Sequence, residues 1–387
     1  MKKFIALFIL SALLLTACSA PAGTGSSSEP TSAAGSETTA SAEADTQTNT
    51  ETNPEANAGT NTQTPLQAPA DVTLSKYAVP TVYNEEFAEQ YAGTMFEEDE
   101  KAPLGMYYFA DTSDAVYYIY DCQHSFTMTT GFDIYRYDKA CGENKLVKQL
   151  RFEIPSVMFS CVNTDNTLYF SLYNENELWQ ICQFSFDDNT VTVLKEGSGD
   201  EESRIPCLSC TNGKLTWYTQ HGDDINLVTF DPETRTETIV QNVISLNPYE
   251  RAAGFAYAAD ENGKAVIYSD GKRIETDMSS KSFSLVAAQN GLIMWKTNYY
   301  GSPNDVYFLN TESGMKFTCS IDGFMGGGII GRYFCVHTSR DKNVLFYDST
   351  DGNQYEITDV GTSWAYPISS DRLGTYSDGV LYIMRAE

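Results

Sequence analysis

Leu215-Thr216-Trp217, Leu227-Val228-Thr229-Phe230-Asp231 and Thr236-Glu237-Thr238-Ile239-Val240 are three short runs in close succession, and their reading decides the fold. Each is rich in β-branched and aromatic residues and too short for a stable helix. Each is bounded by Gly-, Asp- or Asn-containing turns, so each predicts a strand. A fourth apolar run, Cys207-Leu208, lies just upstream. Four strands of this kind in under 40 residues form one small antiparallel sheet. Apolar residues on both of its faces require a packing partner on each side.

The same unit recurs along the chain. Its second strand is found again at Val116-Tyr117-Tyr118, Leu168-Tyr169-Phe170, Phe255-Ala256-Tyr257, Leu292-Ile293-Met294, Tyr333-Phe334-Cys335 and, more weakly, Leu373-Gly374-Thr375. The mean step is about 43 residues, within the range of propeller blades and above that of leucine-rich repeats. Tandem four-stranded sheets at this period predict an all-β, seven-bladed β-propeller, with six or eight blades as the alternatives because the first and fourth repeats are irregular. A pair of β-sandwiches, the competing architecture, does not account for the even spacing. The last repeat, Trp364 to Arg385, lacks an outer strand, and Val72–Tyr83 is the candidate to supply it from the other end of the chain. One short helix is expected where Phe87, Tyr91 and Met95 follow Asn84-Glu85-Glu86 at four-residue spacing.

The N-terminus reads differently. Lys2 and Lys3 precede a dozen apolar residues, Phe4 to Leu15, too few to cross a bilayer, and the run ends in Leu15-Thr16-Ala17-Cys18. These four residues resemble the lipobox of bacterial lipoproteins. The resemblance implies cleavage before Cys18, diacylglycerol on its sulfur and acylation, for example by palmitate, of the new amine. Residues 1–17 are then the signal peptide. Residues 18–75 contain no Phe, Tyr or Trp and are dominated by small polar residues, so they read as a disordered, lipidated linker. Residues 76–387 are the propeller domain. The location expected is extracytoplasmic, on a membrane through the lipid anchor, at the cell surface.

The chain carries 25 basic and 52 acidic residues, a formal net charge of −27. Such a balance offers no electrostatic footprint for nucleic acid. Eight cysteines remain besides Cys18. Cys161, Cys182 and Cys335 lie in apolar runs and read as small buried hydrophobes. Cys207-Leu208-Ser209-Cys210 is a lone CxxC on a strand, with no second pair to complete a zinc site. No Asp-x-Asp-x-Asp-Gly calcium loop is present. No cofactor or metal is expected.

The turns Phe230-Asp231-Pro232-Glu233-Thr234 and Tyr347-Asp348-Ser349-Thr350-Asp351-Gly352 resemble the Tyr-Asp-x-x-Thr-Gly turns of bacterial surface propeller lipoproteins, similar to the low-density-lipoprotein-receptor-type and TolB-like propellers. This resemblance implies architecture and leaves activity open. There is no sialidase Asp-box and no Gly-x-Ser-x-Gly elbow. Gly326-Gly327-Gly328 lacks the Lys-Ser/Thr of a phosphate loop and reads as a bend between blades five and six. The three histidines, His124, His221 and His337, all fall in or just before the connection between the second and third strands of their repeats. Phe126, Tyr173, Asp223, Tyr299, Tyr300 and Arg340 occupy the same connections. Aromatic rings beside polar groups on loops suit recognition of a glycan, a peptide or a surface protein. The expected function is therefore binding rather than catalysis. A carbohydrate-active enzyme with paired carboxylates in the propeller channel, and a non-catalytic scaffold, are the alternatives.

Overall fold

A computed structural model describes residues 68–79, 83–84, 102–103, 106–121, 129–164, 166–199, 204–245, 250–297, 303–338, 343–358, 360, 366–377 and 379–387. The signal segment, the lipobox, the linker and most of the expected helix lie outside them. Asn84, the expected helix cap, is described and pairs as strand with Ala102.

The described chain is a succession of antiparallel sheets in which each strand pairs with the next in sequence. The first module comprises Met106–Asp111, Ala115–Asp121, Thr129–Asp138 and the beginning of Asn144–Asn163. That last strand is 20 residues long and passes from the outer edge of this module to the inner edge of the next, so the two form one seven-stranded sheet. Its far half pairs with Thr167–Asn174, followed by Leu178–Ser185 and Val191–Ser198. The third module is Ser209–Thr211, Lys214–His221, Asp224–Asp231 and Thr236–Val240. The fourth keeps three strands, Tyr257–Glu261, Lys264–Ser269 and Lys272–Ser279. Where the others have an inner strand, it has a tight turn at Gly254 closed by an Ala253–Ala256 bridge. The fifth is Phe283–Gln289, Leu292–Thr297, Asn304–Asn310 and Lys316–Ile321. The sixth is Phe324–Ile330, Tyr333–Thr338, Val344–Asp348 and Gln354–Ile357. The seventh, Tyr366–Ser369, Arg372–Ser377 and Val380–Ala386, takes its outer strand from Val72–Ala78.

The expectation that the N-terminus completes the last module is thus met, in the register Val72↔Ala386 through Ala78↔Val380. Gly326-Gly327-Gly328, expected as a bend, lies instead within the inner strand of module six, with a bulge between Phe324 and Gly326. A Cβ on Gly327 would lie 2.6 Å from the Cys335 carbonyl oxygen and 2.7 Å from Met294 Cε, so the glycine permits close packing of modules five and six.

Alternation at period two sends successive side chains of one strand into different interfaces. Tyr117 and Ile119 pack against module two with Phe132, Cys161 and Phe184. Val116, Tyr118 and Tyr120 pack against module seven with Ile368, Leu381 and Ile383. Trp179 meets Leu215 and Trp217 between modules two and three, and Tyr218 and Leu227 meet Val243 and Ala252 between three and four. Ile267 meets Phe283 and Trp295 between four and five. Phe308 meets Phe334 between five and six, and Phe346 meets Leu373 and Met384 between six and seven. Seven modules and seven shared cores, the last joining the end to the beginning, make a closed β-propeller. First strands of neighbouring modules also pack side by side, which places them innermost.

Hairpins alternate between two faces of the ring. Connections from first to second and from third to fourth strand emerge on one side, the turn face. Connections from second to third strand, and those between modules, emerge on the other, the loop face. Asn212-Gly213 and Asn290-Gly291 on the turn face have both residues at positive φ, the two-residue geometry that matches strand twist. The seven described cysteines are free thiols; Cys161, Cys182 and Cys335 are buried in the inter-module cores.

Candidate functional site

Of the residues singled out in the sequence, His124, Phe126, Tyr299, Tyr300, Arg340 and Cys18 lie outside the described residues. Tyr173 lies next to the end of the second strand of module two, half-buried, its hydroxyl 3.5 Å from the Gly199 carbonyl. His221 pairs with Asp224 across the hairpin Gly222-Asp223 of module three, and all four residues are exposed on the loop face. His337 lies just before the connection to the third strand of module six, but it is enclosed rather than presented on the loop face. It sits inside Tyr333–Thr338 between Gly326 and Val344, 2% exposed, and neither ring nitrogen has a hydrogen-bond partner among the described residues.

Burial holds the His337 imidazole below the usual histidine range. The folded state therefore favours the neutral ring. As pH falls below about 6.5, the unfolded chain binds this proton more readily than the folded one, and stability drops by up to about 1.4 kcal/mol per pH unit. The expected result is that His337→Leu melts at or above the wild-type temperature at pH 7.5. Across pH 6.5–5.5 it loses part of the acid destabilisation, as read by urea unfolding at each pH. Parallel wild-type and variant pH profiles would refute the assignment.

A second group of polar residues gathers on the loop face. Arg204, in the connection entering module three, is 8% exposed. Its Nε donates to Gln220 Oε1 at 3.0 Å, and its terminal nitrogens donate to the Ser245 hydroxyl at 2.6 Å and the Ser245 carbonyl at 3.0 Å. Ser245, from the connection between modules three and four, donates its hydroxyl to Glu250 Oε2 at 3.0 Å. Ser284, in the inner strand of module five, donates to the other carboxylate oxygen, Oε1, at 2.8 Å. The connections entering modules three and four and the inner strand of module five are thus tied into one network whose acid and base ends are both engaged by hydroxyls.

Further cations stand close by. Lys296, near the end of the second strand of module five, has its ammonium 5.8 Å from the Phe324 ring centroid. Burial lowers its pKa, and the charge of Glu250 pulls it back up. Burial likewise lowers that of Arg204, against the pull of Glu250. Arg251 is near enough to the inner strands of modules two and three to hold down the thiols of Cys161 and Cys207, which burial pushes up. Tyr218, 3% exposed, has a hydroxyl without a hydrogen-bond partner among the described residues. It shares a strand face with Gln220, two residues on, which holds Arg204; burial raises its pKa, Glu250 adds to the rise and Arg204 opposes it.

Sequence reading passed over Arg204, Ser245, Glu250, Arg251, Ser284 and Lys296. The signal available was positional: Arg204 and Arg251 each precede the innermost run of their own repeat, in a chain poor in basic residues. Among the described residues no group of three or more His, Cys, Asp or Glu could hold a metal ion.

No protein-family model matches the chain, and no curated protein matches it. Solved structures similar to it include the β-propeller domain of the Trilobed protease from Pyrococcus furiosus, at 12% identity and a TM-score of 0.48, covering 73% of this chain and 90% of that one. An uncharacterized protein from Listeria monocytogenes has 7% identity and a TM-score of 0.46, covering 69% and 88%. Sqt1 of Saccharomyces cerevisiae has 9% identity and a TM-score of 0.41, covering 75% and 89%. The propeller assignment rests on the sheet order and the ring of shared cores, not on these likenesses.

Proposed function

We propose that this chain is a lipid-anchored, extracytoplasmic binding protein whose propeller recognises a glycan, a peptide or another surface protein through its loop face. The observation that carries the reading is the convergence of Arg204, Ser245, Glu250 and Ser284, from two inter-module connections and the inner strand of module five, on one largely buried polar network. It lies on the face that also presents His221 and Asp223. Prepositioned polar groups on a rigid ring lower the ordering cost of binding. Presenting the full chain to glycan and peptide arrays tests the reading. Saturable retention of one ligand class is expected, and retention of none overturns it.

The anchoring part of the proposal is supported by Lys2-Lys3, the apolar run Phe4 to Leu15 and the lipobox-like Leu15-Thr16-Ala17-Cys18. Expressed in a bacterium and labelled with radioactive palmitate, the wild-type chain is expected to take up label and sediment with membranes. Cys18→Ser is expected to lose the label, and its membrane-bound fraction to fall about ten-fold, because each acyl chain removed forfeits its hydrophobic burial. Equal labelling of the two would refute lipidation at Cys18.

A further inference from the structure

The network on the loop face has a charge pattern that specifies more than a generic binding surface. Lys296 stands opposite Ser284 in the paired strands of module five, Ser284 holds Glu250, and Glu250 is tied through Ser245 to Arg204, within a domain whose net charge is strongly negative. Glu250 already has a serine hydroxyl on each oxygen, and Arg204 is braced by Gln220 and Ser245. These residues form the frame. Lys296 is half-buried, with an aromatic ring beneath its ammonium and burial working against its charge. A desolvated cation of this kind gains from an incoming anion far more than an exposed one does. Tyr218 adds an independent observation: its buried hydroxyl has no partner among the described residues, a state that costs free energy until an acceptor reaches it.

The surroundings restrict what can carry that anion. Asp223 and Asp224 occupy the tip of the same hairpin whose Gln220 braces Arg204, and both are exposed. A polyanion would be repelled by them and by the domain as a whole. A ligand with one terminal negative charge and a neutral or basic remainder meets opposite charge at both ends. A peptide presenting its free C-terminal carboxylate has this distribution, and such termini are recognised elsewhere by converging donors.

We propose that the loop face of modules three to five captures the C-terminal carboxylate of a neutral or basic peptide. Lys296 receives the carboxylate, Tyr218 is satisfied through it, and Asp223 and Asp224 face the basic side chains. The inference rests on the binding function above and narrows it to one ligand class.

The test uses the full chain and a pool of N-acetylated, Lys-containing tripeptides, each made as the free acid and as the C-terminal amide. Isothermal titration is expected to show the acid forms binding at least about ten-fold more tightly than the amides, a difference of about 1.4 kcal/mol. Lys296→Gln is expected to erase that preference and Lys296→Arg to keep most of it, with melting temperatures confirming that both variants fold. Equal binding of acid and amide, or a preference that survives Lys296→Gln, overturns the carboxylate site while leaving the broader binding function standing. Binding of neither form overturns it as well. Failure on the glycan and peptide arrays would then remove the binding function too.

Discussion

Replacing Arg372 with methionine is expected to cost about 3 kcal/mol of stability, read as a lower urea midpoint. Arg372 begins the second strand of module seven and reaches across the seam where the ring closes. Its guanidinium lies 3.4 Å from Asp111 Oδ2 and donates to the Asp111 backbone carbonyl at 2.5 Å. Both side chains are withdrawn from water, Asp111 at 5% and Arg372 at 8% exposure. Methionine fills similar volume but leaves a buried carboxylate and a buried carbonyl short of a donor, a loss that ranges over about 3–5 kcal/mol. Lys139, 2.6 Å from Asp111 Oδ1, remains in place and holds the cost to the lower end. An unchanged midpoint would show that the seam does not depend on this pair.

Ser75→Pro is expected to do comparable damage by a different route. Val79 N donates to the Gly379 carbonyl and Glu387 N to the Asp71 carbonyl. In the register Val72↔Ala386 this makes the odd-numbered residues of Val72–Ala78 the ones that exchange hydrogen bonds with the neighbouring strand. Proline at Ser75 removes one of those donors and places its ring against the ladder, at a cost of about 3 kcal/mol. Proline at Lys76, whose N–H points away from the ladder, is expected to cost about 1 kcal/mol or less, because this is an edge strand. Equal midpoints for the two variants would mean that the strand does not close the ring as described.

Much of this architecture was legible in the sequence because each interface repeats one local rule. Apolar residues on both faces of short strands, separated by polar turns, name the repeat. The shortfall in the last repeat pointed to Val72. What misled was the weight given to residue type without its partner. Glycines 326–328 look like a break until Met294 and the Cys335 carbonyl are seen to need the space beside Gly327. The inner strand of module four could not be read because Ala253 and Ala256 form a single bridge rather than a ladder. The polar network was hidden for another reason. Arg204 meets Ser245 across 41 positions and Glu250 meets Ser284 across 34, so nothing local marks any of the four. Histidines drew attention by their rarity, yet the one that is both described and buried is withdrawn from the loop face at 2% exposure.

The closing strand carries a mechanical consequence. It enters from the turn face at Asp71, where Tyr333 donates to the Asp71 carboxylate and Arg332 lies 3.4 Å from it, and runs toward the loop face. Tension applied through the preceding chain, with the opposite face held by a bound partner, would act along the strand axis. Its seven residue pairs would then bear the force in parallel, as a shear joint does, instead of parting one after another like a zipper.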